Sequence, residues 1–397
     1  MKKGWQTKNL GEVIKLLSGQ HIEAKDYNTE SRGIGYLTGP SDFGLISPII
    51  TKWTEFPKVK ATSGDVLITV KGSGVGKINL LNIPEVAISR QLMAIRITGA
   101  DPRFIYAFLG SSFDHFQSES TGAAIPGISR EQVLGLKIAV PPLPEQQRIV
   151  GILDAAFEGL ATAKANAEKN LHNARALFAS HLQAVFSQRS LNGAEGRGKG
   201  WVEKRLIEIS REFGRGKSRH RPRNEPKLYN GPYPFIQTGD ISNADHWLTD
   251  YTQTYSELGL AQSRLWPKGT ICIAIVGATV GETAILDFEA CFPDSVIGIV
   301  VNDQLADNEY IEFLLQSFKA LLKEKGKGTA RDNINLGTFE NQLFPFPALK
   351  RQKEIVGTLN FLHAETQRLA AIYQKKLAAL EALKKSLLHQ AFSGELR

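Results

Sequence analysis

The chain has 397 residues, a formal net charge of +8 and an isoelectric point near 9.3. Hydrophobic residues make up 42% and charged residues 22% of the chain, which is typical of a soluble globular protein with enough residues for two or three domains. No apolar run is long enough to span a bilayer, and polar residues follow the N-terminal Met1-Lys2-Lys3, so we expect no membrane helix and no signal peptide. The basic charge permits nucleic-acid binding without establishing it.

Motifs that carry catalytic or metal chemistry are missing from the sequence. Cys272 and Cys291 are too few for a disulfide scaffold or a Cys-rich zinc site, and they favour a reducing cytoplasm. The eight histidines are scattered without metal-ligand spacing, and no Asn-Pro-Pro-aromatic methyltransferase motif occurs. We therefore expect no catalytic residue, no metal site and no cofactor in this chain.

The sequence contains one unit twice. Pro141-Pro-Leu-Pro-Glu-Gln-Gln-Arg-Ile149 matches Pro347-Ala-Leu-Lys-Arg-Gln-Lys-Glu-Ile355, with an offset of 206 residues between Ile149 and Ile355. The same offset relates Asp101 to Asp307 and Phe186 to Phe392. The second copy carries about ten extra residues near Arg219. One interpretation is an old duplication without functional meaning. The interpretation that we favour is that the duplication mirrors a two-part target, as it does in proteins that read DNA.

The first part of each copy contains short β-type runs between Gly, Pro and Asn clusters. These runs are Val66–Val70 and Val133–Val140 in the first copy, and Ile271–Val276 and Val296–Val301 in the second. Each copy therefore begins with a mixed domain that holds a strand-rich sheet.

Lys71-Gly-Ser-Gly-Val-Gly-Lys77 is a glycine-rich loop that resembles a phosphate loop only in part. Lys71 stands where a Walker loop has Gly, and Ile78 follows where Ser or Thr is needed. The second copy, Gly277-Ala-Thr-Val-Gly281-Glu282, lacks the lysine. A hairpin turn between two strands explains both copies. The functional alternative is a turn whose backbone amides approach DNA phosphates.

The second part of each copy is helical, with apolar residues at alternating steps of four and three for about four heptads. The first stripe is rich in Ala and the second in Leu and Tyr, so we expect the helices to pair with each other, the alternative being that each packs on its own domain. The predicted interface residues are Ile149, Leu153, Leu160, Leu177, Ile355, Leu359, Leu362, Leu369, Tyr373 and Leu380. Residues 193–200 are predicted to form a flexible linker.

Basic residues are dense in two segments of the second copy, and guanidinium groups beside Gly backbone suit contact with phosphates and guanine edges. A solvated surface loop is the alternative. The candidate DNA-binding residues of the second copy are Arg215, Lys217, Arg219, Arg221, Arg223, Lys325, Lys327, Arg331 and Asn333, and those of the first copy are Lys71, Lys77, Arg90, Gln91 and Arg130.

The repeated Pro-Leu-Glu-Gln-Ile pattern resembles the signature that opens the helical regions of type I restriction–modification specificity subunits. The second copy keeps Pro347, Leu349, Gln352 and Ile355 but has Arg351 in place of the Glu. The resemblance covers essentially the whole chain. It implies an α+β fold in which two similar mixed α/β target-recognition domains (1–144 and 201–346) alternate with two helical spacers (145–192 and 347–397) that pair as an antiparallel coiled coil.

The resemblance also implies a function and a set of partners. Each recognition domain would read one half of an interrupted double-stranded DNA site. The helices would set the gap and dock two methyltransferase subunits that bind S-adenosylmethionine, and two restriction subunits that use ATP and Mg²⁺ would join them. Two alternatives stay open: a nucleotide-dependent DNA enzyme that uses the glycine-rich loops, and a specificity module for a fused type II enzyme.

Overall fold

The computed structural model of the protein describes residues 4–44, 47–120, 126–187, 200–220, 222–326 and 336–396. The first repeat forms the following strands and helices within these ranges: β1 (Gln6–Asn9), β2 (Ile14–Ser18), β3 (Ile34–Leu37), β4 (Trp53–Thr54), β5 (Lys60–Thr62), β6 (Val66–Thr69), β7 (Ile78–Leu80), β8 (Glu85–Ile88), β9 (Leu92–Ile97), α1 (Pro102–Ser111), α2 (Phe113–Glu119), α3 (Arg130–Leu134), β10 (Lys137–Val140) and α4 (Leu143–Ser187).

The second repeat forms β11 (Val202–Lys204), β12 (Ser210–Arg215), β13 (Tyr229–Phe235), α5 (Thr238–Asn243), β14 (Trp247–Leu248), β15 (Gln253–Tyr255), α6 (Glu257–Ala261), β16 (Leu265–Trp266), β17 (Ile271–Ala274), β18 (Thr283–Leu286), β19 (Ala290–Cys291), β20 (Val296–Val301), α7 (Asn308–Gly326), α8 (Leu336–Glu340), β21 (Phe344–Phe346) and α9 (Leu349–Ser393). Short 3-10 turns lie at Leu10–Glu12, Ala24–Asp26, Pro40–Asp42, Leu206–Ile209, Pro226–Leu228 and Gly277–Thr279.

The two repeats have the same sheet topology. Strands β2-β9-β6-β7 form an antiparallel sheet in the first repeat, and β12-β20-β17-β18 form its equivalent in the second, extended by β14. Each repeat also contains a four-stranded sheet with both parallel and antiparallel pairs. Its strand order is β4-β3-β8-β5 in the first repeat and β15-β13-β19-β16 in the second. The pairs β1-β10 and β11-β21 complete the correspondence. The predicted α+β class, with two similar mixed domains, is confirmed.

The central strands are apolar throughout because both faces of each sheet are covered. Val66 and Ile68 of β6 point into one hydrophobic cluster of the first repeat, and Leu67 between them points into another. In β17, Ile271 likewise points into one hydrophobic cluster of the second repeat and Cys272 into another. Period-two alternation with two buried faces therefore produces the continuous apolar runs seen in the sequence.

The chain forms two compact units that divide both long helices. Unit 1 comprises Met1–Glu168 and Gln374–Arg397, and unit 2 comprises Lys169–Tyr373. Helices α4 and α9 have 45 residues each, so each helix contributes one end to each unit. The predicted boundaries of the recognition domains and spacers follow the sequence segments instead, and they stay a prediction.

Within each unit the two long helices run in opposite directions. In unit 1, Lys164 of α4 forms an ion pair with Glu381 of α9 at 2.7 Å, and the Arg148 side chain donates to the Leu396 carbonyl at 3.2 Å. As the α4 residue number rises, the α9 partner number falls. The helices therefore pair as predicted, in the antiparallel sense.

Each helix ends on the other repeat. Phe186, near the end of α4, packs against Tyr310 of the second repeat with ring centroids 5.5 Å apart. Phe392, its equivalent near the end of α9, packs against Phe104 of the first repeat at 5.3 Å. Since Tyr310 is the equivalent of Phe104, the same contact occurs twice with the helices exchanged. This exchange excludes the alternative in which each helix packs only on its own domain.

Most residues of the predicted helix interface are covered. Ile149, Leu153, Ile355 and Leu359 are buried. A further group of the predicted residues is partly buried: Leu160, Leu362, Leu369, Tyr373 and Leu380.

The prediction is wrong for Leu177, which is 50% exposed, while the neighbouring Phe178 packs with its ring 5.9 Å from that of Phe313. The cause is helical geometry. In a straight helix, residues seven apart do not lie exactly above one another, because each heptad falls about 20° short of two full turns. Over the four heptads from Ile149 to Leu177 this difference grows to about 80°. It is then close to the angle of about 100° between successive residues. The residue that follows the heptad position therefore faces the core.

The repeated signature has a structural role at the start of each long helix. Gln146 is 3% exposed; its Oε1 accepts from the Asp101 amide at 2.7 Å and its Nε2 donates to the Pro141 carbonyl at 2.8 Å. Gln352 makes the same two bonds, to the Asp307 amide and the Pro347 carbonyl, at 2.9 Å each. We call each of these arrangements a glutamine bridge. It ties the first turn of the long helix to the N-terminus of α1 or α7.

Candidate nucleic-acid interface

Loops that are distant in sequence meet beside the β6–β7 hairpin of unit 1. The Val70 amide donates to the Gln91 carbonyl at 2.8 Å, and the Ile128 amide donates to the Val70 carbonyl at 3.0 Å. The Ser89 hydroxyl donates to the Thr38 carbonyl at 2.5 Å. These bonds bring the hairpin, the β8–β9 turn and the segment before α3 to one surface.

Three cations of this surface have free side chains. Lys71, Lys77 and Arg90, which we call the hairpin set, are exposed and form no ion pair with any residue that the structure describes. Gln91 is exposed beside Arg90. Sequence reasoning selected these four residues, and the fold places them on neighbouring loops. Whether they contact DNA stays a prediction.

The backbone of the glycine-rich loop is used internally. The amides of Val75, Gly76 and Lys77 donate to carbonyls of the same hairpin at 2.9–3.2 Å. Gly72 and Gly76 have φ values of 93° and 81°, which glycine adopts without strain. A phosphate cradle needs free amides, so these three amides are not available for one. The cationic side chains are what this hairpin offers to an anion.

Arg130 differs from the hairpin set because its guanidinium is engaged. Nη1 donates to the Ser18 hydroxyl at 2.6 Å, and Nη2 donates to the Leu16 carbonyl at 3.0 Å. Arg130 opens α3, and these bonds tie α3 to the edge strand β2. Its position serves the packing of unit 1.

The basic segment of unit 2 leaves β12 in an extended conformation with alternating exposure. Arg215, Lys217 and Arg219 are exposed, whereas Gly216 and Ser218 between them are buried. We call these three cations the strand-exit set. An extended chain rises about 3.3 Å per residue, so the set presents positive charges about 6.6 Å apart along one side. None of the three side chains forms an ion pair within the described ranges.

Backbone and side-chain contacts hold the strand-exit set in place. The Lys217 amide donates to the Phe292 carbonyl at 3.0 Å. Gln262 Oε1 accepts from the Arg219 amide at 2.6 Å and from the next amide at 3.0 Å, and the Ser263 hydroxyl donates to the Lys217 carbonyl at 2.7 Å. The segment is therefore anchored by its backbone, which leaves the cationic side chains to solvent.

Sequence reasoning missed Gln262 and Ser263. They lie more than forty residues after the basic segment, at the end of α6, and no motif connects the two stretches. A Gln-Ser pair after a short helix is an ordinary surface sequence. Only the fold shows that these side chains position the cations.

Other predicted DNA-binding residues have partners or lie outside the described residues. Arg223 forms an ion pair with Asp294, in which Nη2 contacts both carboxylate oxygens at 2.9 and 3.0 Å. The predicted residues Arg221, Lys327, Arg331 and Asn333, and the side chain of Lys325, lie outside the described residues. Of the predicted DNA-binding residues of unit 2 whose side chains the structure describes, the strand-exit set comprises those without an ion pair.

A buried charge cluster lies where β14 meets α7. His246 is held by Glu312 at 2.5 Å and by Glu309 at 3.1 Å, and Thr283 and Gln316 each donate to Glu312 at 2.7 Å. Burial disfavours the imidazolium, yet the two carboxylates raise the pKa of His246 above its ordinary value overall. The groups satisfy one another, which indicates a structural ion cluster.

Other chemistry is limited in the part of the chain that the structure describes. Its His, Cys, Asp and Glu side chains form no group that could hold a metal ion. Burial raises the pKa of both cysteine thiols, which disfavours the reactive thiolate. Among the described helices, none is long and apolar enough to cross a membrane.

Solved structures define the class of this fold. The chain superposes on the HsdS subunit from Thermoanaerobacter tengcongensis with a TM-score of 0.64 and 21% identity, covering 100% of this chain and 98% of that one. It superposes with a TM-score of 0.82 and 21% identity on a chain from a structure concerned with complex assembly and conformational transition of the type I R-M system, covering 100% and 99%. The two repeats with paired helices are thus the specificity-subunit architecture.

The chain belongs to the type I restriction modification DNA specificity domain family, whose model matches residues 2–170 and 198–381. It is 27% identical over 175 residues to the putative type I restriction enzyme MjaX specificity subunit of Methanocaldococcus jannaschii, covering 43% of this chain and 40% of the relative. It is 22% identical over 315 residues to the type I restriction enzyme EcoBI specificity subunit of Escherichia coli, covering 74% and 65%. The matches thus span less than two thirds of either relative.

Proposed function

We propose that this chain is the DNA-specificity subunit of a type I restriction–modification complex and acts as a non-catalytic adaptor. Each repeat reads one half of an interrupted double-stranded DNA site. The observation that carries the proposal is the presence, in each of two equivalent units, of three exposed cations without ion-pair partners among the described residues. Such cations supply the phosphate contacts that position a protein on DNA.

Membership of the family supports a set of partners, which belong to the same proposal. The paired helices set the gap between the half-sites and dock two methyltransferase subunits, which bind S-adenosylmethionine. Two restriction subunits that use ATP and Mg²⁺ join this complex in the cytoplasm. The exposed apolar side chains of α9, among them Phe361 at 71% and Ile372 at 46% exposed, support a protein-binding role for the helices.

Methylation mapping tests the proposal. The chain is co-expressed with the methyltransferase subunits of its own system, and methylated adenines are mapped across the genome. We expect one motif of two half-sites separated by a gap of constant length. Exchange of residues 1–140 for the first domain of another family member should change one half-site and leave the other intact. Methylation without a split motif, or a change in both half-sites together, contradicts the proposal.

A further inference from the structure

The two glycine hairpins have equivalent backbones. The amide of Gly76 donates to the last residue of β6 at 2.9 Å, and the amide of Gly281 donates to the last residue of β17 at 2.8 Å. Lys77 and Glu282 follow these glycines, and each amide donates to the carbonyl three residues earlier at 3.0 Å. Lys77 and Glu282 therefore occupy the same position in the two repeats.

The segments that leave β2 and β12 are also equivalent. The Gly19 amide donates to the first residue of β9 at 3.0 Å, and the Gly216 amide donates to the first residue of β20 at 2.9 Å. A β-carbon would lie 2.1 Å from a carbonyl oxygen at Gly19 and 2.2 Å from one at Gly216, so both positions require glycine. The next residues, Gln20 and Lys217, each donate an amide to the neighbouring strand end at 3.0 Å.

The turn between these two features is closed by one bond in both repeats. The first amide of β9 and the first amide of β20 donate to the carbonyl three residues earlier, at 2.9 and 3.0 Å. Arg90 and Asp294 are therefore equivalent. In each repeat this central turn lies between the strand exit and the hairpin, because it bonds to both.

The two repeats carry their free cations at different positions of this common backbone. Where the first repeat has the hairpin set, the second has Val276, Glu282 and Asp294, and both acids form ion pairs, with Lys319 at 2.5 Å and with Arg223 at 2.9 Å. Where the second repeat has the strand-exit set, the first has Ser18, Gln20 and Ile22. Ile22 is 1% exposed, and Ser18 accepts from Arg130. The first repeat thus carries its hairpin set on the hairpin and the central turn, and the second carries its three free cations on the strand exit. The cations at the strand exit of the first repeat, Arg130 and Lys58, are instead bonded to Ser18 and to the Leu16 and His21 carbonyls.

We infer that the two units hold DNA through non-equivalent loops: unit 1 through the hairpin set, on the hairpin and the central turn, and unit 2 through the strand-exit set, on the segment that leaves β12. The inference rests on the proposed function. Phosphates are attracted to free cations, and the hairpin flank of unit 2 offers none at the equivalent positions: Val276 is uncharged, and Glu282 and Asp294 are each compensated by an ion pair. The two half-sites are therefore contacted at non-equivalent phosphates, although the domains that read them share one fold.

The salt dependence of DNA binding tests this inference in the complex with the methyltransferase subunits. The probes are a short duplex that carries the mapped split motif and one of unrelated sequence. Each phosphate contact contributes about 0.9 to the slope of log affinity against log salt concentration, so replacing all three members of either set with alanine should flatten the slope by roughly 2.7. Phosphate ethylation interference should show the lost contacts in one half-site for each set.

The equivalent position in the other repeat supplies a matched control for each set. Gln20→Ala is the control for Lys217→Ala, and Val276→Ala is the control for Lys71→Ala; both controls should leave the slope and the interference pattern unchanged. The same phosphates lost in both half-sites, or controls as damaging as the cation variants, would overturn the inference. Unchanged slopes in both triple variants would overturn it while leaving the proposed function standing. A wild-type complex that binds neither duplex would remove the proposed function itself.

Discussion

Replacing Gln146 with leucine tests whether the signature glutamine holds the recognition fold to the long helix. Leucine has a similar volume but no polar atoms, so the substitution removes both bonds of the glutamine bridge and leaves the shape of the side chain nearly unchanged. The Asp101 amide and the buried Pro141 carbonyl then lose their partners.

The magnitude follows from these two groups. A buried donor or acceptor left without a partner costs about 1–3 kcal/mol. Because leucine regains some apolar burial, we expect the free energy of unfolding to fall by about 2–4 kcal/mol. For a unit of this size, each kcal/mol lowers the melting temperature by about 2–4 °C. Gln352→Leu should have a similar effect, because Gln352 makes the same bonds.

Urea denaturation measures the loss, and hydrogen exchange followed by mass spectrometry assigns it to a unit. Amides of unit 1 should exchange faster in Gln146→Leu, and amides of unit 2 in Gln352→Leu. Gln147→Leu is the control, because Gln147 is exposed on the same helical turn and its replacement should change stability by less than about 0.5 kcal/mol. If Gln146→Leu behaves like Gln147→Leu, the bridge does not stabilise the protein and the reasoning fails.

Three further substitutions are expected to give separable results. Gly216→Ala should weaken DNA binding by displacing the strand-exit set, because the new β-carbon would lie 2.2 Å from a carbonyl oxygen. Gly214→Ala is the control and should leave DNA binding unchanged, because the space around Gly214 is open. Equal DNA affinity in the two variants would refute this expectation. The raised pKa of His246 means that its ion cluster stabilises unit 2 fully below the ordinary histidine pKa and loses this contribution as the pH rises through the folded-state pKa. Unfolding of the wild type and of His246→Gln, measured across that range, should therefore differ in slope, and parallel curves would contradict the assignment. Leu359→Ala should cost about 2–5 kcal/mol in urea denaturation by opening a cavity, while Phe361→Ala, 71% exposed in the wild type, should be nearly neutral.

Local patterns were sufficient to predict the repeat, the strand-rich first part of each copy and the paired helices. They were insufficient where three-dimensional packing decides. The heptad pattern placed Leu177 in the interface because it assumes 3.5 residues per turn, and the straighter helix presents Phe178 instead. The constant offset between Phe186 and Phe392 revealed that they are equivalent. It could not show that each packs on the other repeat, because equivalent sequences are compatible with contacts within one repeat or between the two.

The candidate site was predictable to a similar depth. Cationic residues are visible in a sequence, so every member of the hairpin and strand-exit sets was among the predicted residues. Whether a cation is free depends on what the fold brings near it: Arg130 meets Ser18, and Arg223 meets Asp294. Gln262 could not be found, because its bonds to the basic segment depend on how α6 packs.

The duplication lets scaffold and function be separated within a single chain. The glutamine bridge recurs with the same atoms in both repeats, as expected of a group that the fold needs. The missing Glu of the second signature is compensated locally: Glu145 pairs with Arg148 at 2.7 Å in the first repeat, and Arg351 pairs with Glu354 at 2.8 Å in the second, with the charges reversed. That reversal preserves an interaction at the same two positions and is therefore neutral for the fold. The different placement of free cations in the two repeats preserves no interaction, because one repeat gains exposed charge where the other has acids held in ion pairs. A difference of this second kind, on an unchanged backbone, is what two domains need if they are to hold different DNA half-sites with the same fold.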